Sequence, residues 1–457
     1  MHRMLSPTLL MAALTCAGPA FAQADQRCTG SPCVRQDAQI STASAGHASI
    51  AINPADARQF VVGNAGKYGN CSRGAVHFST DRGQTWRHSC TLPGVADDEF
   101  STEAPAVGFD KEGALVAVQP FYWSDGAKVW ASRSTDGGQT WDGWYTIASS
   151  QFYYSWIKSV HLEPDTWVSS PYRGRLYASF TDDGSDQAAI RVGRSDDGGR
   201  HWQTVNATPV ATGQEMLDFG DLAVGRDGGL YLSYLSCTGQ DRDCHGRPAE
   251  FRLVRSGDGG KTWTAPTVLA QAVLPPDQVN SNLWYSYGAL PGTTALVSFT
   301  PVIAIDNSGG PHQNRLFTVL TTYADKRLQV LLSTSDDQGA TWSTPRPVAA
   351  GPRAADQFMP WVSVSRKGVV AVTWMDQRKH PQQTGYQPMV AFSTDGGTTF
   401  TAPGVLQGQA SQPEVLQDLD GLASHAWSGQ QLNTVFVGPD AAGAPTLRMT
   451  IATPQVP

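Results

Sequence analysis

One eight-residue pattern, S-x-D-x-G-x-[T/H]-[W/F], occurs six times and limits the fold of this chain more than any other feature. The copies are STDRGQTW (79–86), STDGGQTW (134–141), SDDGGRHW (195–202), SGDGGKTW (256–263), SDDQGATW (335–342) and STDGGTTF (393–400). Their starts lie 55, 61, 61, 79 and 58 residues apart. A repeat of roughly this period makes each unit one supersecondary element, and such units bury a core only by stacking on their neighbours. The 457 residues therefore need not divide into several ordinary domains.

Each copy sits at the same point of its unit. An alternating apolar run precedes it, as in Val129–Ser134 or Met389–Ser393, and another extended run follows. Upstream lie two further strand-like runs split by a glycine turn, such as 106–110 and Ala114–Val118 around Lys111-Glu112-Gly113. Alternation of this kind marks half-buried strands. Each unit thus holds four antiparallel strands, a to d, and the motif occupies the c–d turn. Its residues suit a turn. Ser and Asp bond nearby backbone N–H groups, Gly supplies positive φ, and Trp packs its ring while its N–H finds a partner. On this reading Asp81, Asp136, Asp197, Asp258, Asp337 and Asp395 are structural.

Four-stranded units repeated around a ring make a β-propeller. Gly421–Trp427, Leu432–Val437 and Thr446–Ala452 read as strands a, b and c of a seventh unit that lacks both motif and strand d. At the other end, Val34–Thr42 is an extra strand. If that strand supplies d for the last blade, the ring closes and its sheet edge is covered. The fold expected is all-β: a seven-bladed propeller of four-stranded antiparallel blades, six with the motif in their c–d turns, closed by the N-terminal strand.

Residues 1–22 read as an export signal, with the apolar stretch Leu9–Leu14 and the small-x-small site Ala20-Phe21-Ala22 before Gln23. The expected organisation is signal 1–22, a lead at 23–33 and a single propeller at 34–457, in a secreted or periplasmic, monomeric protein. Without Cys16, six cysteines remain, and an even number in an oxidising compartment suggests disulfides. Proximity favours Cys28–Cys33 and Cys237–Cys244, leaving Cys71–Cys90, although six cysteines allow fifteen pairings. No CxxC or HExxH occurs, so no metal site is assigned. The formal charge is −7 and no basic stripe is present, which argues against nucleic acid as partner. No later segment is apolar enough to span a membrane. Gly259–Thr262 resembles the end of a phosphate loop, but the glycine that loop needs is Arg255 here.

The six motifs resemble the Asp boxes, or BNR repeats, of the sialidase superfamily, over nearly the whole mature chain. The resemblance implies a propeller and an exo-sialidase-like glycoside hydrolase. It also leaves room for other glycosidases, lyases and non-catalytic propellers, because fold does not set function. Typical members clamp a substrate carboxylate with three arginines, the first in Arg-Ile-Pro. The first blade here opens His47-Ala48-Ser49-Ile50, so no catalytic residue is carried over.

The a–b and c–d turns share one face of a propeller, and the b–c loops and inter-blade links share the other. Long loops carry function more often than tight turns, so the second face is the one to search. Its aromatic clusters are Gln119–Trp123 with Tyr122 and Trp123, Phe152–Trp156 with Tyr153, Tyr154 and Trp156, and Trp284–Tyr287 with Tyr285. They either stack sugar rings of a carbohydrate or glycoconjugate partner or pack on one another. Glu103, Asp165, Asp221, Asp356 and Asp420 fall at or before inner strands near the channel. Two carboxylates across a glycosidic bond can act as acid and base, and Glu103 with Asp356 or Asp376 is the set considered. Arg378 could clamp a substrate carboxylate or pair with Asp376. A polysaccharide lyase would instead need a base such as Tyr285, Tyr287, Tyr323 or His161. No organic cofactor is expected, and the acidic loop Asp182–Asp186 offers oxygen ligands that calcium could take.

Overall fold

A computed structural model describes residues 32–41, 48–64, 71, 75–91, 105–123, 126–152, 155–239, 244–276, 288–291, 293, 296–349, 355–379, 385–412 and 423–454. Seven of its sheets are the expected blades of four antiparallel strands, with a short fifth strand, Ala211–Thr212, added to Gln187–Ser195 of blade 3. Blade 1 comprises Ala48–Ile52, Phe60–Asn64, Ala75–Ser79 and Arg87–Cys90. Blade 2 comprises Ala106–Phe109, Leu115–Trp123, Gly126–Ser134 and Asp142–Ser149. Blade 3 comprises Trp156–Pro164, Leu176–Asp183, Gln187–Ser195 and Gln203–Asn206. Blade 4 comprises Glu215–Val224, Leu230–Thr238, Pro248–Ser256 and Thr267–Val273. Blade 5 comprises Val302–Ile305, Leu316–Ala324, Arg327–Ser335 and Arg346–Pro347. Blade 6 comprises Gln357–Val364, Val370–Asp376, Gln387–Ser393 and Gly404–Val405. A short hairpin, Gly288–Ala289 with Leu296–Val297, lies between blades 4 and 5 and was not expected from the sequence.

Blade 7 has Ala423–Ser428, Gln431–Pro439 and Pro445–Thr453, and its outermost strand is Cys33–Ser41 from the other end of the chain. Cys33 pairs with Thr453 and Ser41 with Leu447, antiparallel. Ile40 then packs with Val435, Leu447 and Met449 of blade 7 and with Ile50 and Val62 of blade 1. The innermost strands contact one another in sequence from blade 1 to blade 7, and blade 7 contacts blade 1. Closure by the N-terminal strand is as the sequence predicts.

The second strands are buried on both faces because each blade is covered by a neighbour on either side; Val370–Asp376 is buried at every position, whereas third strands such as Arg327–Ser335 alternate buried with half-buried residues. The outer strands recover alternation, as in Thr267–Val273, where exposed and buried residues mix. The repeated turn joins these layers. Ser134 Oγ donates to Asp136 Oδ1 at 2.8 Å and accepts from Gly138 N at 2.8 Å. Asp136 Oδ1 also accepts from Gln139 N and Thr140 N at 2.9 Å, and Oδ2 accepts from Thr140 Oγ1 at 2.6 Å. The turn needs two consecutive residues at positive φ. These are Gly137 and Gly138 in blade 2, at 75° and 95°, but Arg82 and Gly83 in blade 1 and Gln338 and Gly339 in blade 5. The aromatic residue that ends the motif leans on the preceding blade: Trp141 packs on the blade 1–2 cluster and donates its N–H to Ser89 Oγ at 2.8 Å. Trp202 joins the blade 2–3 cluster and Trp86 the blade 7–1 cluster.

Cys71–Cys90 and Cys237–Cys244 are disulfides, with Cα atoms 5.2 and 6.0 Å apart. Cys33 is disulfide-bonded as well, and Cys28 lies outside the described residues.

The turn carboxylates tie stability to pH. Burial by itself raises the Asp136 pKa, but the bonds from Thr140, Ser134 and the Gln139 N–H outweigh it and hold the group at about 2. Asp197 and Asp395 are held at about 2 in the same way. A carboxylate depressed in the folded state contributes stability above its unfolded pKa, near 3.8, and loses it as pH falls toward 2. Thermal melts followed by circular dichroism should therefore show a steep loss of stability between pH 4 and pH 2. Asp136→Ala should cost about 1–2 kcal/mol at pH 7, the solvated position keeping the loss small. A melting temperature for Asp136→Ala equal to that of the parent at pH 7 would contradict this account of the turn.

Candidate functional site

The innermost strands set the walls of the central channel, and three of them are irregular. In blades 3, 4 and 6 the pairing of strands a and b shifts register between Lys158 and His161, between Asp218 and Asp221, and between Phe358 and Trp361. Each shift contains a non-glycine residue at positive φ: Ser159 at 55°, Phe219 at 56° and Met359 at 52°. Such bulges re-aim the side chains that follow. A non-glycine residue held there costs about 1–3 kcal/mol, and strain of this kind clusters at functional sites. Two residues after each strained position stand His161, Asp221 and Trp361, and all three line one cavity of about 350 Å³ in the channel.

His161 Nδ1 lies 3.5 Å from Asp221 Oδ1 on the adjoining blade. The other Asp221 oxygen accepts the Ile303 N–H of blade 5 at 2.7 Å. The His161 ring stacks on Trp361, with centroids 6.0 Å apart and planes at 26°. The stack joins blade 3 to blade 6, which are not neighbours in the ring, so it bridges the channel. Burial raises the Asp221 pKa, with His161 and the Ile303 and Leu222 amides opposing it. Glu163, further along the same strand as His161, also lines the cavity. Burial, then the charges of Asp221 and Asp165, push its carboxyl up to about 8. A second hollow of about 360 Å³ opens at the face of the repeated turns and shares Ile50, Val107, Leu162 and Glu163 with the first. The two hollows meet at Glu163. The channel thus holds a carboxylic acid protonated at neutral pH, an Asp–His pair and an aromatic surface. Perturbed titratable groups converging in a concave pocket are the usual mark of a functional site.

Apart from His161 and Asp221, the described residues singled out from sequence fall elsewhere. Asp356 is fully buried and accepts from Leu328 N at 2.7 Å and Arg327 Nη1 at 3.1 Å, tying blade 6 to the b–c turn of blade 5. Asp376 accepts from Trp374 Nε1 at 2.7 Å, Gln357 Nε2 at 3.1 Å and Arg378 N at 2.7 Å, and Arg378 Nη2 closes an ion pair at 2.7 Å. Of the two roles considered for Arg378, pairing with Asp376 is the one seen. Asp182 accepts from Ser155 Oγ, Gln151 N and Arg191 Nη1, and Asp183 shares Lys158 with Asp218 at 3.1 and 2.7 Å. Asp165 accepts from Ser170 Oγ and Trp167 N at the foot of blade 3. Tyr323 packs on the core of blades 4 to 7. Trp156 is 39% exposed at the start of blade 3. Glu103, Tyr153, Tyr154, Trp284, Tyr285, Tyr287 and Asp420 lie outside the described residues, as do the side chains of Tyr122 and Trp123. Among the described residues no three His, Cys, Asp or Glu side chains gather to hold a metal ion.

Sequence reasoning named His161 and Asp221 separately and missed Glu163 and Trp361. Glu163 falls near the far end of an inner strand, where an acidic residue reads as ordinary turn chemistry.

The fold and the channel define a propeller built from Asp-box repeats. Residues 59–291 match the BNR repeat-like domain, and the chain belongs to that family. A stretch of 106 residues, 23% of this chain, is 34% identical to a xyloglucanase from Paenibacillus sp; the chain spans 9% of that relative's length. An ulvan lyase described as a new family of polysaccharide lyase superposes with a TM-score of 0.51 at 11% identity, covering 91% of this chain and 95% of that one. That likeness shows the fold. The Hadza microbial sialidase has a TM-score of 0.47 at 13% identity, covering 84% of this chain and 74% of its own. An α-L-arabinofuranosidase from Fusarium graminearum has a TM-score of 0.46 at 14% identity, covering 76% and 92%.

The raised Glu163 carboxyl has a measurable consequence. A group whose pKa rises from 4.5 to about 8 on folding favours the folded state fully below its unfolded pKa, and that stability is lost as pH rises through about 8. Glu163→Gln removes the titration. Its melting temperature should match the parent near pH 5 and exceed it at pH 8, read by differential scanning calorimetry. The same difference at both pH values would mean that Glu163 ionises normally.

Proposed function

We propose that this protein is an exported glycoside hydrolase-like propeller that acts on an extracellular glycan bound in the central channel. The observation that carries the reading is the set of three strained bulges that deliver His161, Asp221 and Trp361 to one cavity. Trp361 offers an apolar face for a sugar ring. Glu163, neutral at pH 7, can give its proton to the leaving glycosidic oxygen, and Asp221 can take a proton from the attacking water, so that water adds across the bond. Burial of Glu163 supports the acid role. The Ile303 amide bonded to Asp221 supports a fixed, ionisable base. Glu103, on the link that enters blade 2, stays a proposed participant.

A second reading has one specific observation in its favour. The 3.5 Å approach of His161 to Asp221 suits a lyase, in which His161 removes the proton beside a uronate carboxyl and the bond breaks by elimination. The products differ: hydrolysis leaves a saturated reducing end, and elimination leaves an unsaturated sugar that absorbs ultraviolet light.

Export is part of the same reading. Residues 1–22 act as a signal, the mature protein begins at Gln23 and it works as a monomer outside the cytoplasm. The described disulfides support that compartment.

The test is a panel of arabinan, xyloglucan, ulvan and sialylated oligosaccharides incubated with purified protein, together with intact mass of the secreted form. Mass should correspond to a chain starting at Gln23. Asp221→Asn and Glu163→Gln should each lower turnover about 100-fold or more, whereas Asp376→Asn should lower the melting temperature and spare turnover per folded molecule. Full activity in both channel variants would remove the channel from the mechanism. Loss confined to Glu103→Gln would move the chemistry to the link before blade 2.

A further inference from the structure

His425 stands on the innermost strand of blade 7, and it is only 6% exposed. Its Nδ1 lies 3.3 Å from Thr373 Oγ1 on blade 6, which fixes the ring from behind. Its Nε2 is buried and, among the described residues, has no hydrogen-bond partner. The same residue lines the channel cavity, beside Ser424 and in company with Ser363 and Thr300. A buried nitrogen left unpaired is costly. Nε2 itself is closed off from the cavity that other atoms of the residue border, so a ligand reaches it through a small turn of the ring.

We propose that His425 is a ligand-recognition residue whose Nε2 bonds a ring hydroxyl of the sugar held in the channel; the inference rests on the glycan reading given above. Hydroxyl is the favoured chemistry for two reasons. Burial pushes the His425 pKa down to about 3, so the ring is neutral at working pH and offers no charge to an anion. A hydroxyl both donates and accepts, so it satisfies Nε2 whichever way the Thr373 contact sets the tautomer. A site with a buried polar atom waiting for one hydroxyl rejects the deoxy analogue strongly, because that atom then stays unpaired. His425 therefore acts on selectivity, and it is separate from the Glu163, His161 and Asp221 groups assigned to proton transfer.

The experiment compares the parent with His425→Leu, His425→Asn and His425→Gln in the full chain. Binding is measured by isothermal titration calorimetry with whichever panel oligosaccharide the parent binds best, and melting temperature is recorded for each variant. His425→Leu should melt close to the parent temperature, because it trades the unpaired Nε2 for an unpaired Thr373 hydroxyl, yet bind about 10-fold more weakly or worse, the scale of one lost hydrogen bond to a desolvated group. His425→Gln, which keeps a polar tip, should recover part of the loss, and kcat should change less than KM. Parent-like affinity in a folded Leu or Asn variant would overturn the proposal and make His425 a core residue only. If His425→Leu fails to fold, His425→Asn decides by the same criterion. A parent protein that binds no glycan in the panel defeats the underlying glycan reading, an outcome distinct from parent binding that His425 does not influence.

Discussion

The antiparallel pairing of Cys33–Ser41 with Pro445–Thr453 completes the last blade and ties the two ends of the ring into one sheet. Without that strand, blade 7 ends on an open edge of unpaired amides and carbonyls. Ile40 would leave the cluster it forms with Val435, Leu447, Ile50 and Val62, which is the seam between the last blade and the first. The pairing joins the two ends of the chain, so its closure entropy is not offset until the intervening blades are in place. The blades themselves are local. Each strand pairs with its sequence neighbour, and the motif aromatic at each c–d turn packs one blade on the preceding one. The ring is therefore assembled from short-range steps and locked by one long-range step.

Left-handed backbone at the c–d turns and at the inner-strand bulges differs in distribution. The turn motif places two such residues at each of six blades, with every copy anchored by the same Ser and Asp bonds, so it carries no information that singles out one direction around the ring. The inner-strand bulges occupy blades 3, 4 and 6, whereas the described inner strands of blades 1, 2, 5 and 7 pair with their neighbours without a shift. A binding site has to break the symmetry of its scaffold, because a ligand is not seven-fold symmetric. The bulges break it, and the three side chains they present form the densest chemistry along the channel.

The ring was legible in the sequence because its determinants are periodic. Gly-rich turns, alternating strands and a final unit without a motif all survive in one dimension, and they gave the blade count and the closing strand. The site was only partly legible. Ser159, Phe219 and Met359 carry no signature of a left-handed conformation, since glycine and asparagine are the residues that announce it. Asp356 and Asp376 looked available because acidic residues near inner strands fall close to the axis; the Arg327 and Arg378 partners that occupy them depend on side-chain direction, which the sequence does not encode in any local pattern. His161 and Asp221 could each be placed near the channel, but their approach across two blades follows from the bulges. Trp361 was hidden among the many tryptophans that the repeats use for packing.

The channel also follows a consistent electrostatic rule. Burial costs charge, and a group whose partners do not outweigh that cost answers by moving toward its neutral form. Glu163 and Asp221 shift up and His425 shifts down, all in the neutral direction. Lys158 shifts up, toward its charged form, because Asp218 and Asp183 overcome the cost of its burial. The shifts of Glu163, Asp221 and His425 thus lower the charge in the cavity they line. They also produce a proton donor at neutral pH: burial raises the Glu163 carboxyl first and the charges of Asp221 and Asp165 raise it further, and the ring that causes the burial is the one the terminal strand closes.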